Sequence, residues 1–148
     1  MSEIIAIACD HAGYLLKQAL KAELLTLGYT PKDLGTHSQE SADYPDYASK
    51  LCHMLQEHQA SRGVLICGSG IGMSIAANRF AGIRAALCRS GLEAELARKH
   101  NDANVLCLGA RVVGPGLARD ILLAWLGATF EGGRHARRVA AIDRAGAS

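Results

Sequence analysis

Only three of the 148 residues are proline, no Cys-x-x-Cys pair occurs, and no apolar run approaches the ~18 residues of a membrane-spanning helix. Proline scarcity beside 16 glycines excludes a proline-rich disordered chain and fits a fold with tight backbone turns. Charge of one sign is missing as well. Sixteen Lys and Arg stand against 14 Asp and Glu, a net charge of +2, so no nucleic-acid or membrane partner is expected. Aromatics make up only 5% and, like the three methionines, fall into no cofactor pattern, so Trp125 and Phe130 read as packing residues. The N-terminus carries no basic segment ahead of an apolar one. The five cysteines (Cys9, Cys52, Cys67, Cys88 and Cys107) are odd in number and mostly end short apolar runs. Reduced thiols in a cytoplasmic protein are the expectation.

A chain of this length buries roughly 68–70% of the surface its unfolded form exposes, enough for one core and too little for two. One domain spanning residues 1–148 is therefore expected. Apolar runs at Ile4–Cys9, Gly63–Cys67, Ile83–Cys88 and Asn104–Leu108 have the length of strands buried on both faces. Tyr29–Leu34 is a weaker candidate because it contains Pro31. Helical patterns lie between them: Leu15 to Leu27 closed by Gly28, a segment opened by Pro45 and running through Leu55, then Ile71–Phe80, Leu92–His100 and Gly116–Leu126. A basic segment, about 134–145, closes the chain. Strands alternating with helices predict an α/β protein, a three-layer α/β/α sandwich on a five-stranded parallel sheet, in the order 2-1-3-4-5. Such sheets bind ligands beyond the carboxyl ends of their strands, near the reversal in strand order.

Polar residues gather at those ends. In Cys67-Gly68-Ser69-Gly70-Ile71-Gly72, alternating glycines let a strand turn sharply into a helix and expose backbone N–H groups suited to an oxyanion. A helix start also favours the thiolate of a cysteine placed there. The same stretch equally fits a buried cysteine before an ordinary tight turn. No Gly-Lys-Ser/Thr is present, no GxGxxG follows the first strand, and no arginine closes an anion loop just beyond Cys67. Asp10 suits a sugar hydroxyl or a helix cap, and His11 beside it suits an anion. His100, ending a helix, suits a general acid or a dipole partner. Arg134 and Arg138, four apart, share one helical face that would grip a phosphate or simply meet solvent, and Arg111 follows a strand. The six histidines lack the spacing of a closed metal site, so no metal is expected.

Taken jointly, Asp10-His11-Ala12-Gly13, Asp43-Tyr44-Pro45, Cys67 to Gly72 with Ser74-Ile75-Ala76-Ala77-Asn78, Gly82 to Ala85, His100 to Leu106, Gly109 to Gly114 and Glu131 to His135 resemble type B ribose-5-phosphate isomerases. Their superfamily also includes galactose-6-phosphate isomerase subunits. The resemblance covers nearly the whole chain. It implies a Rossmann-like fold, no metal or cofactor, and a homodimer or tetramer with active clefts shared between subunits, the C-terminal helix reaching the partner. It implies interconversion of ribose 5-phosphate and ribulose 5-phosphate, with His100 opening the furanose ring and Asp10 orienting hydroxyls. Cys67 would move a proton from C2 to C1. Ser69 and the N–H groups of Gly70, Ile71, Gly72 and Met73 would hold the enediolate, with Gly68 completing the loop. His11, Arg111, Arg134 and Arg138 would hold the phosphate end, and Asn101 the sugar. Some members replace the thiol with a glutamate at the position of Met73; this chain resembles the thiol branch. A 6-phosphohexose (allose or galactose 6-phosphate) is the alternative substrate, and a non-catalytic sugar-phosphate binding module the alternative function.

Overall fold

Runs such as Ile4–Cys9 carry no polar alternation, so neither face can be left wet, and each must lie inside a sheet covered on both sides. The computed structural model, which describes residues 2–146, builds that sheet from β1 (Ile4–Cys9), β2 (Thr30–Asp33), β3 (Arg62–Cys67), β4 (Ala85–Leu87) and β5 (Val105–Gly109). Six helices accompany it: α1 (Tyr14–Thr26), α2 (Tyr44–Gln56), α3 (Ile71–Ala77), α4 (Gly91–Asn101), α5 (Pro115–Gly127) and α6 (Arg134–Arg144). All the strand pairings are parallel. One core joins Ile5, Ile7, Val64, Ile66, Leu106 and Leu108 to the buried faces of α1, α4 and α5. The other joins Ala6, Ala8, Leu65, Cys67 and Cys107 to α2 and α3. Three layers result, as the alternation of elements predicts.

The strand order is a correction. It is β2-β1-β3-β5-β4, not 2-1-3-4-5, with β5 between β3 and β4. Burial explains the exchange. All of β5 (Val-Leu-Cys-Leu-Gly) is buried, whereas the three residues of β4 (Ala-Ala-Leu) are only half-buried. The longer, more apolar strand gains more from two covered faces and takes the interior place. β2 forms the other edge, where the missing N–H of Pro31 leaves no gap in an interior ladder. Helix α3 stops at Asn78, short of Phe80. The Asn78 amide donates to Ala85 O at 2.9 Å and its oxygen accepts from Ala85 N at 2.8 Å, so this side chain bonds an edge strand instead of continuing a helix.

No helix among the described residues is long and apolar enough to cross a membrane. The order still reverses between β1 and β3, so a cleft opens above the carboxyl ends of these two strands.

Candidate active site

Asp10 follows β1 and is buried, with Oδ1 accepting from the N–H groups of Ala12 (3.0 Å) and Gly13 (3.3 Å). Gly13 has to be glycine, since a Cβ there would come within 2.7 Å of Ile66. The cap commits Oδ1 to the backbone and leaves Oδ2 for a ligand. His11 Nδ1 lies 3.1 Å from the Ala42 nitrogen and 3.3 Å from the Ala42 carbonyl oxygen, so the backbone engages this nitrogen and leaves Nε2 for a ligand.

From the end of β3 the chain must turn at once into α3. Gly70, at φ +79°, makes the turn and sits against the backbone of Leu108 and Gly109 too closely for any Cβ. A Cβ on Gly109 would in turn strike the Ser69 backbone, so the two glycines let the loop lie on β5. Ala110 N–H donates to Cys67 O and Arg111 N–H to Gly68 O, both at 2.9 Å, tying the loop to the strand. The Gly70 N–H donates to Cys67 Sγ at 3.2 Å, and the Ile71 N–H to Ser69 Oγ at 3.2 Å. The N–H groups of Gly72 and Met73, in the first turn of α3, have no partner within the helix. Arg111 lays its guanidinium against Gly68, and Tyr44 lays its ring against Gly72.

These residues enclose an open hollow of about 540 Å³ lined by Asp10, Tyr44, Cys67, Ser69, Ile75 and Arg111 among others. Cys67 is only 4% exposed, yet it borders this hollow. The remaining thiols are in the core, and burial pushes them up, to about 11 for Cys9 and about 12 for Cys52 and Cys88. The Met73 side chain is fully buried between α3 and the sheet, so it offers the hollow only its N–H. A larger hollow of about 680 Å³ lies between the α3–β4 loop and the end of α6 and includes Asn101, but no thiol or histidine lines it.

The other expected residues lie elsewhere. Helix α4 leaves the carboxyl end of β4 and descends about 16 Å, at about 1.5 Å per residue over its 11 residues, to deliver His100 and Asn101 near the amino end of β5. Arg134 and Arg138 stand exposed on α6, which is held beside this same end where Arg84 pairs with both Asp102 and Asp143. Within one chain, Asp10, His11, Cys67, Ser69 and Arg111 form one group, and His100, Asn101, Arg134 and Arg138 another at the opposite end of the sheet. Sequence reasoning assigned no role to Tyr44; a bulky ring just before the helix-opening Pro45 was the available signal. It also gave Glu131 and His135 no role, though both lie beside His100, with His135 Nε2 3.5 Å from Glu131 Oε1.

A thiol at a glycine-rich strand-to-helix turn, sharing a hollow with Asp10 and Arg111, is an arrangement suited to proton transfer on a small anionic substrate. A family model described as Ribose/Galactose Isomerase matches residues 5–142. The chain belongs to this isomerase family. Ribose-5-phosphate isomerase B of Escherichia coli is 52% identical over 138 residues, 93% of each chain. D-erythrulose-4-phosphate isomerase of Pectobacterium atrosepticum is 46% identical over 139 residues, 93% of this chain and 91% of that one. Among solved structures, a ribose-5-phosphate isomerase B of Clostridium thermocellum superposes with a TM-score of 0.94 at 50% identity, covering 95% of both chains. Family membership makes this chain an enzyme acting on phosphorylated sugars.

Proposed function

We propose that the protein interconverts ribose 5-phosphate and ribulose 5-phosphate, with the Cys67 thiolate as base. The observation that carries this reading is Cys67 Sγ, held by the Gly70 N–H at 3.2 Å on the edge of the hollow it shares with Asp10, Ser69 and Arg111. The free Oδ2 of Asp10 accepts a sugar hydroxyl. Cys67 removes the C2 proton of the open-chain aldose, and the electron pair moves toward the carbonyl oxygen at C1. The resulting cis-enediolate sits against Ser69 Oγ and the unpartnered N–H groups of Gly72 and Met73; losing one such donor typically costs about 10²–10³ in rate. The O2 proton passes to O1 within the enediolate, and the Cys67 thiol then returns a proton to C1 as the C2 carbonyl forms. His11 and Arg111 hold the anionic end, whose remote binding energy fixes the flexible chain.

His100 opens the ring, and it does so from a second copy of the chain. Cys67 and His100 lie at opposite ends of one sheet, so no single chain can apply both to one sugar. Ile71, Ile75 and Val112 stand exposed around the hollow and offer an apolar face for the partner, whose α6 brings Arg134 and Arg138 to the phosphate.

The reading is tested by incubating chelator-treated protein with ribose 5-phosphate in D₂O. Ketose is expected, and solvent deuterium at C1 marks proton transfer through the enediolate; no ketose refutes the substrate, and undiminished turnover of a Cys67→Ala variant refutes the base. A shorter or longer sugar is the second reading, favoured by the Pectobacterium relative named for a four-carbon substrate and by galactose in the family description. Relative kcat/KM on ribose 5-phosphate, erythrulose 4-phosphate and allose 6-phosphate decides between them.

A further inference from the structure

At the far end of the sheet from Cys67, three ligating side chains converge that no step above uses as a set. His100 sits in the last turn of α4 and His135 in the first turn of α6. Glu131 precedes α6, and its N–H donates to Lys99 O at 3.0 Å, which pins this segment to the end of α4. The imidazoles stack with centroids 4.3 Å apart and planes within 11°. Both Nε2 atoms face one oxygen, Glu131 Oε1, at 3.7 Å from His100 and 3.5 Å from His135. One ligand atom from each residue lies within 4.8 Å of the other two.

We propose that His100, Glu131 and His135 form a binding site for one divalent transition-metal cation of the zinc type. Two imidazoles and a carboxylate are a donor set that zinc and its neighbours accept. Metal–ligand bonds of about 2.0–2.2 Å put ligand atoms about 3.3 Å apart, so the trio must draw in by up to about 1.5 Å, and one imidazole must turn out of the stack to aim its lone pair at the same ion. Glu131 is half-exposed, and Gly132 and Gly133, at φ +66° and +53°, give the segment between Glu131 and His135 room to adjust. Arg134 and Arg138 oppose a bare cation, and Glu131 is the trio's only anionic donor. That balance disfavours Mg²⁺ and Ca²⁺, which need several oxygen ligands, and leaves imidazole-preferring Zn²⁺, Co²⁺ and Ni²⁺. Resting on the isomerase reading, one consequence follows: a cation on His100 takes the nitrogen that would hand a proton to the sugar ring, and so inhibits.

Cobalt is the probe, because its d–d bands report ligand number. Added to chelator-stripped protein, Co²⁺ is expected to give visible bands of a four- or five-coordinate ion, saturating at one equivalent per chain. The bands should vanish in both Glu131→Gln and His135→Gln, while His58→Asn, at an exposed histidine in the turn after α2, keeps them. Circular dichroism confirms that each variant is folded. No band, or a band that survives both variants, overturns the site, as does sulfur-to-cobalt charge transfer, which would put the ion on a thiol. Turnover of ribose 5-phosphate is followed in the same titration. Inhibition that tracks the band supports both proposals; saturation with undiminished turnover leaves the cation site standing and overturns the role of His100.

Discussion

Cys67 differs from the chain's other thiols in where its strand ends. Cys9, Cys52, Cys88 and Cys107 have their sulfurs in the core, where burial raises their pKa and suppresses the thiolate. Cys67 reaches the end of an interior strand as Gly70 turns the chain over it, so one edge of the sulfur meets an N–H donor and another meets the hollow. Replacing Cys67 with Ala is expected to lower kcat by about 10²–10⁴, the ordinary worth of a positioned acid–base group. Urea unfolding of the same variant should shift by no more than about 1 kcal/mol, because the loop is held by Gly70, Gly109 and the backbone bonds of Ala110 and Arg111. Coupled-assay kinetics and a denaturation curve check the two halves separately.

Among the elements, the edge strand β2 depends on charge more than on apolar packing. Lys17 of α1 is 0% exposed, pairs with Asp33 Oδ1 at 2.7 Å and donates to the Thr36 carbonyl. Lys21 reaches Asp33 Oδ2 at 2.8 Å, and the Gly35 N–H donates to Oδ1 at 2.9 Å. This clamp holds Gly35 and Thr36 in hydrogen-bond contact with Cys9, the residue before Asp10. Burial raises the Asp33 carboxyl, but Lys17, Lys21 and the Gly35 N–H outweigh it and hold the group below the usual aspartate value. A depressed carboxyl stabilises the fold fully above its unfolded pKa of about 3.9 and loses that contribution as pH falls through the lower folded value. Asp33→Asn should therefore cost about 3 kcal/mol at neutral pH, the low end for one side of a buried pair, since Asp33 keeps 14% exposure. The penalty should shrink below about pH 4, read as converging urea midpoints of variant and parent. The elements themselves were largely legible: apolar runs marked β1, β3 and β5, and Pro31 marked β2 as the weak strand, while Ile83–Cys88, which read as buried on both faces, is the half-buried edge strand β4. Strand order was not, because the sequence separates β3, β4 and β5 by similar crossovers, and only competition for two covered faces puts β5 inside.

For the whole molecule, the separation of Cys67 from His100 has a direct consequence for assembly. A helix that follows a strand returns to the amino end of the sheet, so residues at its close cannot meet residues at a strand's close within one chain. Cys67→Ala and His100→Ala should each be inactive, yet mixed under conditions that exchange subunits they should recover about a quarter of wild-type activity. Half of the dimers would then be mixed, each holding one intact site of two. No recovery in mixtures shown by mass to contain hybrids would overturn the shared site.

Composition and spacing by themselves determined the class of fold, the thiol loop with its glycines, and the gathering of Asp10, Ser69 and Arg111, because alternating strands and helices carry every strand's end to the same side. The tertiary structure alone decided that β5 displaces β4 from the interior, that Met73 turns inward, and that Glu131 and His135 close on His100. Those outcomes depend on how α6 docks and which surfaces compete for burial, and such contacts between distant segments leave no period or spacing along the chain.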